Sequence, residues 1–157
     1  LLKFLGIAFL FFSFYSAFEI REDKNLKDFL LILTICIFTD LGGYIFGKIF
    51  KGPKLTWISP KKTYTGVFGA FLLSLVAGLV FINYFYIEQK IFNENLAFIF
   101  IFLISLISQV GDLIISFFKR KAKIKDTGKI LPGHGGLLDR IDGMIFVFPI
   151  FYLIIIL

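Results

Sequence analysis

"LAFIFIFLISLISQVGDLIISFFKR", Leu96 to Arg120, decides what kind of protein this is. From Leu96 to Phe118 it holds a single charged residue, Asp112, in an otherwise almost unbroken apolar run. About 20 apolar residues in succession are what an α-helix needs to cross the hydrocarbon of a bilayer. A carboxylate within such a run costs about 2.5 kcal/mol or more, so it is kept where it faces a polar cavity and serves a function. The stretch therefore reads as a membrane span that carries part of a site.

Four further apolar runs lie outward from it, at about 1–18, 29–50, 65–87 and 143–157. The expected fold class is all-α, a polytopic transmembrane helical bundle of about five spans forming one domain over 1–157. Composition agrees: 58% of the 157 residues are hydrophobic and 18% charged, where a soluble domain has about 25% charged. Mean hydropathy is +0.89. The chain opens on Leu within an apolar run, and no small-x-small cleavage site stands before the charged residues at 19–28. Its start is expected to be that of a truncated sequence whose upstream spans are missing. The single Cys, Cys36, lies inside a run, which excludes a disulfide framework and a cysteine-based metal site.

Charge sorts the connections. Residues 19–28 carry three basic and four acidic side chains, and 88–95 carry one and two. Residues 51–64 carry Lys51, Lys54, Lys61 and Lys62 with no acid, and 119–142 carry seven Lys/Arg. Basic loops stay cytoplasmic, and these two alternate with the weakly acidic ones, so both are expected on the cytoplasmic face.

Asp40, near the middle of the second run, is the other carboxylate out of place in hydrocarbon. Ser108, Asp112 and Ser116 recur at i, i+4 and i+8, a polar stripe that Lys119 extends. Gly43 and Gly47 allow a close helix approach beside Asp40. Downstream, "KRKAKIKDTGKILPGHGGLLDRID" gathers phosphate-binding cations, glycines whose backbone can approach a ligand, and Asp139 and Asp142 on one helical face. Hard oxygen donors of this kind suit Mg²⁺, which one or two carboxylates and substrate phosphates usually hold. His134 alone makes no metal site; it reads as a loop cap or a phosphate donor.

Together these residues carry a resemblance. Ser116-x-x-Lys119-Arg120, then Lys125-Asp126, Pro132-Gly133-His134-Gly135-Gly136 and Asp139-Arg140-x-Asp142 form one part. Asp40-x-Gly42-x-Tyr44-x-x-Gly47 and Ser59-Pro60-x-Lys62-Thr63-x-x-Gly66 form the other. In this order, over about 38–143, they resemble the signature of the phosphatidate cytidylyltransferases, or CDP-diacylglycerol synthases. The resemblance implies an inner (cytoplasmic) membrane enzyme, often a homodimer, that makes CDP-diacylglycerol and pyrophosphate from CTP and phosphatidic acid. It implies Mg²⁺ on Asp112 and Asp139, with room for a second, monovalent cation. Lys119, Arg120, Lys125, His134 and Arg140 would clamp the triphosphate, and Asp126 and Asp142 would belong to the catalytic set. Asp40, Ser59, Lys62, Thr63, Ser116, Gly133, Gly135 and Gly136 would bind substrate. No nucleic-acid partner is expected.

Two rivals share parts of the pattern. A prenol kinase or an ether-lipid cytidylyltransferase would use similar chemistry. An ion-coupled transporter would use Asp40 and Asp112, but no inverted repeat of broken helices is visible.

Overall fold

A computed structural model describes residues 2–24, 26–56, 59, 62–86, 94–124, 126–128, 136 and 138–156. Helix α1 (Leu2–Glu19) runs into a π-helical turn (Ile20–Lys24) and is followed by α2 (Leu26–Phe50), α3 (Tyr64–Phe85) and α4 (Glu94–Lys121). A one-turn helix α5 (Leu138–Ile141) and α6 (Met144–Ile156) complete the order. The β pairing among the described residues is an isolated bridge, Lys54 with Thr63.

Helices α2, α3 and α4 have 25, 22 and 28 residues. At 1.5 Å per residue each exceeds the roughly 30 Å hydrocarbon thickness. Four segments are long and apolar enough to cross a membrane: Phe4–Glu22, Leu26–Phe50, Tyr64–Phe85 and Leu96–Lys121. The fifth expected span corresponds to α6, a shorter apolar helix of 13 residues, about 20 Å long. Large apolar side chains stand outward along the spans, Phe11 at 73% exposure and Phe68 at 65%. Water would penalise such a surface; lipid does not.

The helix ends have local causes. Thr63 caps α3, its hydroxyl accepting the Gly66 N–H at 3.1 Å. Helix α4 stops where Lys123 turns left-handed (φ 57°), with Ile124 N–H on the Lys119 carbonyl and Lys123 N–H on that of Arg120. That paired closure is a Schellman ending, and it holds the backbone of Lys119 in place.

Pairwise contacts set the directions. Phe9 meets Phe146 and Tyr15 meets Tyr152, so α1 and α6 run parallel. The Ser13 hydroxyl donates to the Ile145 carbonyl at 2.8 Å between them. Gly111 lies against Phe146 and Phe100 against Phe151, so α4 and α6 are antiparallel. Helices α2 and α3 cross backbone to backbone: a Cβ on Gly42 would be driven into the Gly69 carbonyl. Gly43 and Gly47 face Gly66 and Thr63 along the same seam.

One end of the bundle thus gathers the C-termini of α2 and α4 and the N-termini of α3 and α6, together with both basic loops. The other end gathers the π-helical turn, the start of α2 and the end of α3. There the Tyr86 hydroxyl donates to Asp28, and Lys27 to the Phe85 carbonyl. Between them lies a core of buried side chains that includes Ile32, Ile35, Ile101, Val147 and Phe148.

Candidate active site

At the basic-loop end the helices enclose a cavity of about 480 Å³. Asp40 and Gly43 of α2, Ser59, Lys62 and Thr63 of the first basic loop, Asp112 of α4, and Asp139 and Asp142 beside α6 all line it. Val67, Ala70 and Phe71 of α3 and Leu106 and Val110 of α4 give it an apolar wall. Residues up to 103 apart in sequence (Thr39 and Asp142) therefore share one space.

Two lysines organise the carboxylates. Lys62 forms an ion pair with Asp112, and the Ser116 hydroxyl approaches the same carboxylate at 3.4 Å. Lys119, one helical face further along α4, reaches Asp139 at 3.0 Å and Asp142 at 3.2 Å. The exposures separate the two groups. The Lys62 and Asp112 side chains are 26% and 25% exposed, whereas Lys119 and Asp139 are at 12% and 8%. The first pair is open to an incoming ligand; the second holds the site together.

Asp139 also closes its loop. Its Oδ2 accepts the backbone N–H of Thr127 and of Gly136, each at 2.8 Å. Burial would raise its pKa, but the N–H groups of Gly136 and Thr127, with Lys119, outweigh burial and hold it at about 2. Asp142 goes the other way. Burial first, then the negative charge of Asp112, push it up to about 7 against the pull of Lys119. Two carboxylates on one lysine are thus driven apart in acidity, the pattern by which sites separate the roles of like groups.

This donor set bears on a metal. Among the described residues no three His, Cys, Asp or Glu gather as a ready-made metal cage. Yet four carboxylates line the cavity, against Lys62 on Asp112 and Lys119 reaching Asp139 and Asp142 from α4. An excess of hard anionic oxygen without a full cage fits Mg²⁺, which takes one or two carboxylates and leaves its other positions to water and phosphate.

The remaining expected residues fall out as follows. Ser116 reaches Asp112, but Ser108 is buried where the backbone of Gly143 presses on it; a Cβ on Gly143 would lie 2.9 Å from the Ser108 carbonyl oxygen. Arg120 is exposed and donates to the Ile124 carbonyl at 3.2 Å, outside the cavity lining. Asp126 is exposed. The Thr63 hydroxyl is engaged as the cap of α3 while facing the cavity. The Gly136 N–H is taken by Asp139. Lys125, Gly133, His134 and Gly135 lie outside the described residues, as does the side chain of Arg140.

Sequence reasoning overlooked Thr39 and Ser105. The Thr39 hydroxyl lies 2.9 Å from that of Ser105, both fully buried, tying α2 to α4 beside the cavity. Gln109 joins them at 3.4 Å. Hydroxyls within apolar runs were the available signal, and a common one.

An all-helical multi-pass membrane protein with an acid- and lysine-lined cavity at one end of its spans is the class that this fold and site define. Its residues 1–157 match the cytidylyltransferase family, and the chain belongs to that family. It is 47% identical over 135 residues to the phosphatidate cytidylyltransferase of Rickettsia typhi, covering 83% of this chain and 59% of the relative. To the protein of the same name from Staphylococcus epidermidis it is 39% identical over 155 residues, covering 98% of this chain and 56% of the relative. The Rickettsia conorii protein of that name is 47% identical over 138 residues, covering 84% and 59%. The chain thus spans a little over half the length of these relatives.

Proposed function

We propose that this chain forms the catalytic part of a phosphatidate cytidylyltransferase, joining CTP to phosphatidic acid to give CDP-diacylglycerol and pyrophosphate. One observation carries the reading: a single cavity combines a lysine, Lys62, and four carboxylates with an apolar wall built from membrane spans. A phosphate ester of a lipid needs both. The names of the relatives support the choice of substrates.

A phosphate oxygen of phosphatidic acid attacks the α-phosphorus of CTP; that bond forms as the α–β bridge breaks and pyrophosphate leaves. The attacking phosphate is already anionic, so no strong base is required. The residues act by placing and neutralising charge. Lys62, the more open of the two lysines, turns from Asp112 to an arriving phosphate. Lys119 keeps Asp139 and Asp142 in register from the α4 terminus, and the Asp139 clasp on Thr127 and Gly136 fixes the basic loop above them. Mg²⁺, held by Asp112 and Asp139, would neutralise the reacting phosphates when bound. The basic loops at this end support an orientation toward the cytoplasm, in a cell's inner membrane.

The test is formation of CDP-lipid from labelled CTP and phosphatidic acid in membranes carrying the protein, with Mg²⁺ and with a chelator. Turnover should require Mg²⁺, and Asp112→Asn should reduce it by about 10²–10³, the scale for losing one preorganised electrostatic group. Wild-type rates in Asp112→Asn at matched abundance would overturn the assignment. A phosphorylated lipid in place of a cytidylylated one would overturn the reaction.

A further inference from the structure

Below the polar cavity lies a second concavity, an apolar groove of about 190 Å³. Phe68, Phe71, Leu72 and Leu75 of α3 line it with Ile101 and Phe102 of α4. Phe71 belongs to both spaces: one face of its environment is the polar cavity, and the other is the groove, where its ring stacks on Phe102 at 4.7 Å. The groove opens outward, for Phe68, Leu72 and Phe102 are 65%, 43% and 49% exposed. Its depth follows from helix rise. Phe68 and Leu75 stand four and eleven residues after the start of α3 at Tyr64, about 6 and 16 Å along the helix. Along α3 the groove runs one turn past Phe71, the last α3 residue of the polar cavity, and along α4 it stops at Phe102, four residues short of Leu106, where the cavity begins.

We propose that this groove seats an acyl chain of the lipid substrate, with its phosphate in the polar cavity above and Phe71 at the junction. The inference rests on the proposed cytidylyl transfer and adds where the diacylglycerol part lies. Headgroup cavity and groove are stacked along the span in the same order as phosphate and tail in a lipid. An acyl chain gains little apolar contact on leaving the bilayer for a protein groove, since lipid tails are as apolar as leucine. The groove therefore acts by direction: a chain held between α3 and α4 aims its phosphate at the cavity, a positioning effect on turnover.

Leu72→Trp tests this, because Leu72 is at the open edge, where added bulk blocks the groove without entering the core. Val76→Trp, one turn further along α3, 55% exposed and outside the groove, is the control. With dioleoyl phosphatidate, Leu72→Trp should lower kcat/KM by about tenfold or more. With dihexanoyl phosphatidate, whose chains are too short to follow the groove, both variants should stay within about twofold of wild type. A phosphatidate bearing a diazirine near its acyl terminus should label the segments around Leu72 and Phe102, and excess phosphatidate should compete while phosphatidylcholine does not. Equal effects on both chain lengths, or competition by phosphatidylcholine, would make the groove an ordinary lipid contact and overturn the proposal. Specific labelling without CDP-lipid formation by wild type would instead remove the reaction and leave the groove as a phosphatidate site.

Discussion

The two ends of this bundle are held together by different means. From the middle of the bundle toward the far end, Ile32, Ile35, Ile101, Val147 and Phe148 fill the space between helices, and the described polar contacts there include Tyr86 on Asp28 and Lys27 on the Phe85 carbonyl. At the cavity end the space is left open, and side chains meet across it as ion pairs. What closes the helices at this second end is backbone on backbone, the α2–α3 crossing at Gly42 and Gly69. In lipid, helices associate through close packing rather than through any gain from leaving water. A glycine crossing supplies that packing without using large side chains. The side chains of the cavity end are thereby left for chemistry, while those of the far end are spent on cohesion.

Substitutions should divide along the same line. The largest effect is expected for Gly42→Leu, which drives a side chain into the Gly69 carbonyl and forces α2 and α3 apart. Folded protein recovered in mild detergent should fall close to zero; near-normal recovery would show that the crossing does not hold the cavity end. Next comes Lys119→Met. It leaves Asp139 and Asp142 buried without their partner, a loss of about 3–5 kcal/mol by the measure of broken buried ion pairs. Thermal unfolding should show it, and protease should cut first in the loop that Asp139 clasps. An unchanged unfolding midpoint would mean that the lysine serves ligands alone. The smallest effect belongs to the far end: Ile32→Val should cost about 0.5–1.5 kcal/mol of stability and leave turnover within about twofold. If turnover fell as far as in Asp112→Asn, the division between cohesion and chemistry would fail.

Much of this was legible in the residues. Long apolar runs predicted α1 to α4 and the apolar α6 because hydrocarbon permits few alternatives. Asp40 and Asp112 stood out because their environment made them costly. What sequence concealed was pairing. Lys62 and Asp112 are 50 residues apart, and nothing local says that the lysine of a loop will reach a carboxylate on α4. Helix phase accounts for two further differences. Arg120 follows Lys119 by about 100° around α4, enough to turn it from the cavity to the surface. Ser108, Asp112 and Ser116 drift by about 40° at each step, so a stripe read as one face fans out, and its deep end meets Gly143 rather than open space. Thr39 and Ser105 were unreadable for a simpler reason: a hydroxyl in an apolar run looks the same whether it bonds its own helix or a neighbour.

The arrangement of charge has a thermodynamic consequence. The cavity is anionic, with four carboxylates to the one lysine that lines it, while exposed Lys51, Lys54, Arg120, Lys121 and Lys123 give this end of the bundle a basic rim. An anion is drawn to such a rim and then opposed by the cavity; a cation meets the reverse. Each ligand weakens the field that resists the other, so their affinities are linked. Linkage is reciprocal: whatever factor a divalent cation adds to the binding of a polyphosphate, the polyphosphate adds to the binding of the cation. Affinities measured one ligand at a time would both fall short, and by the same factor.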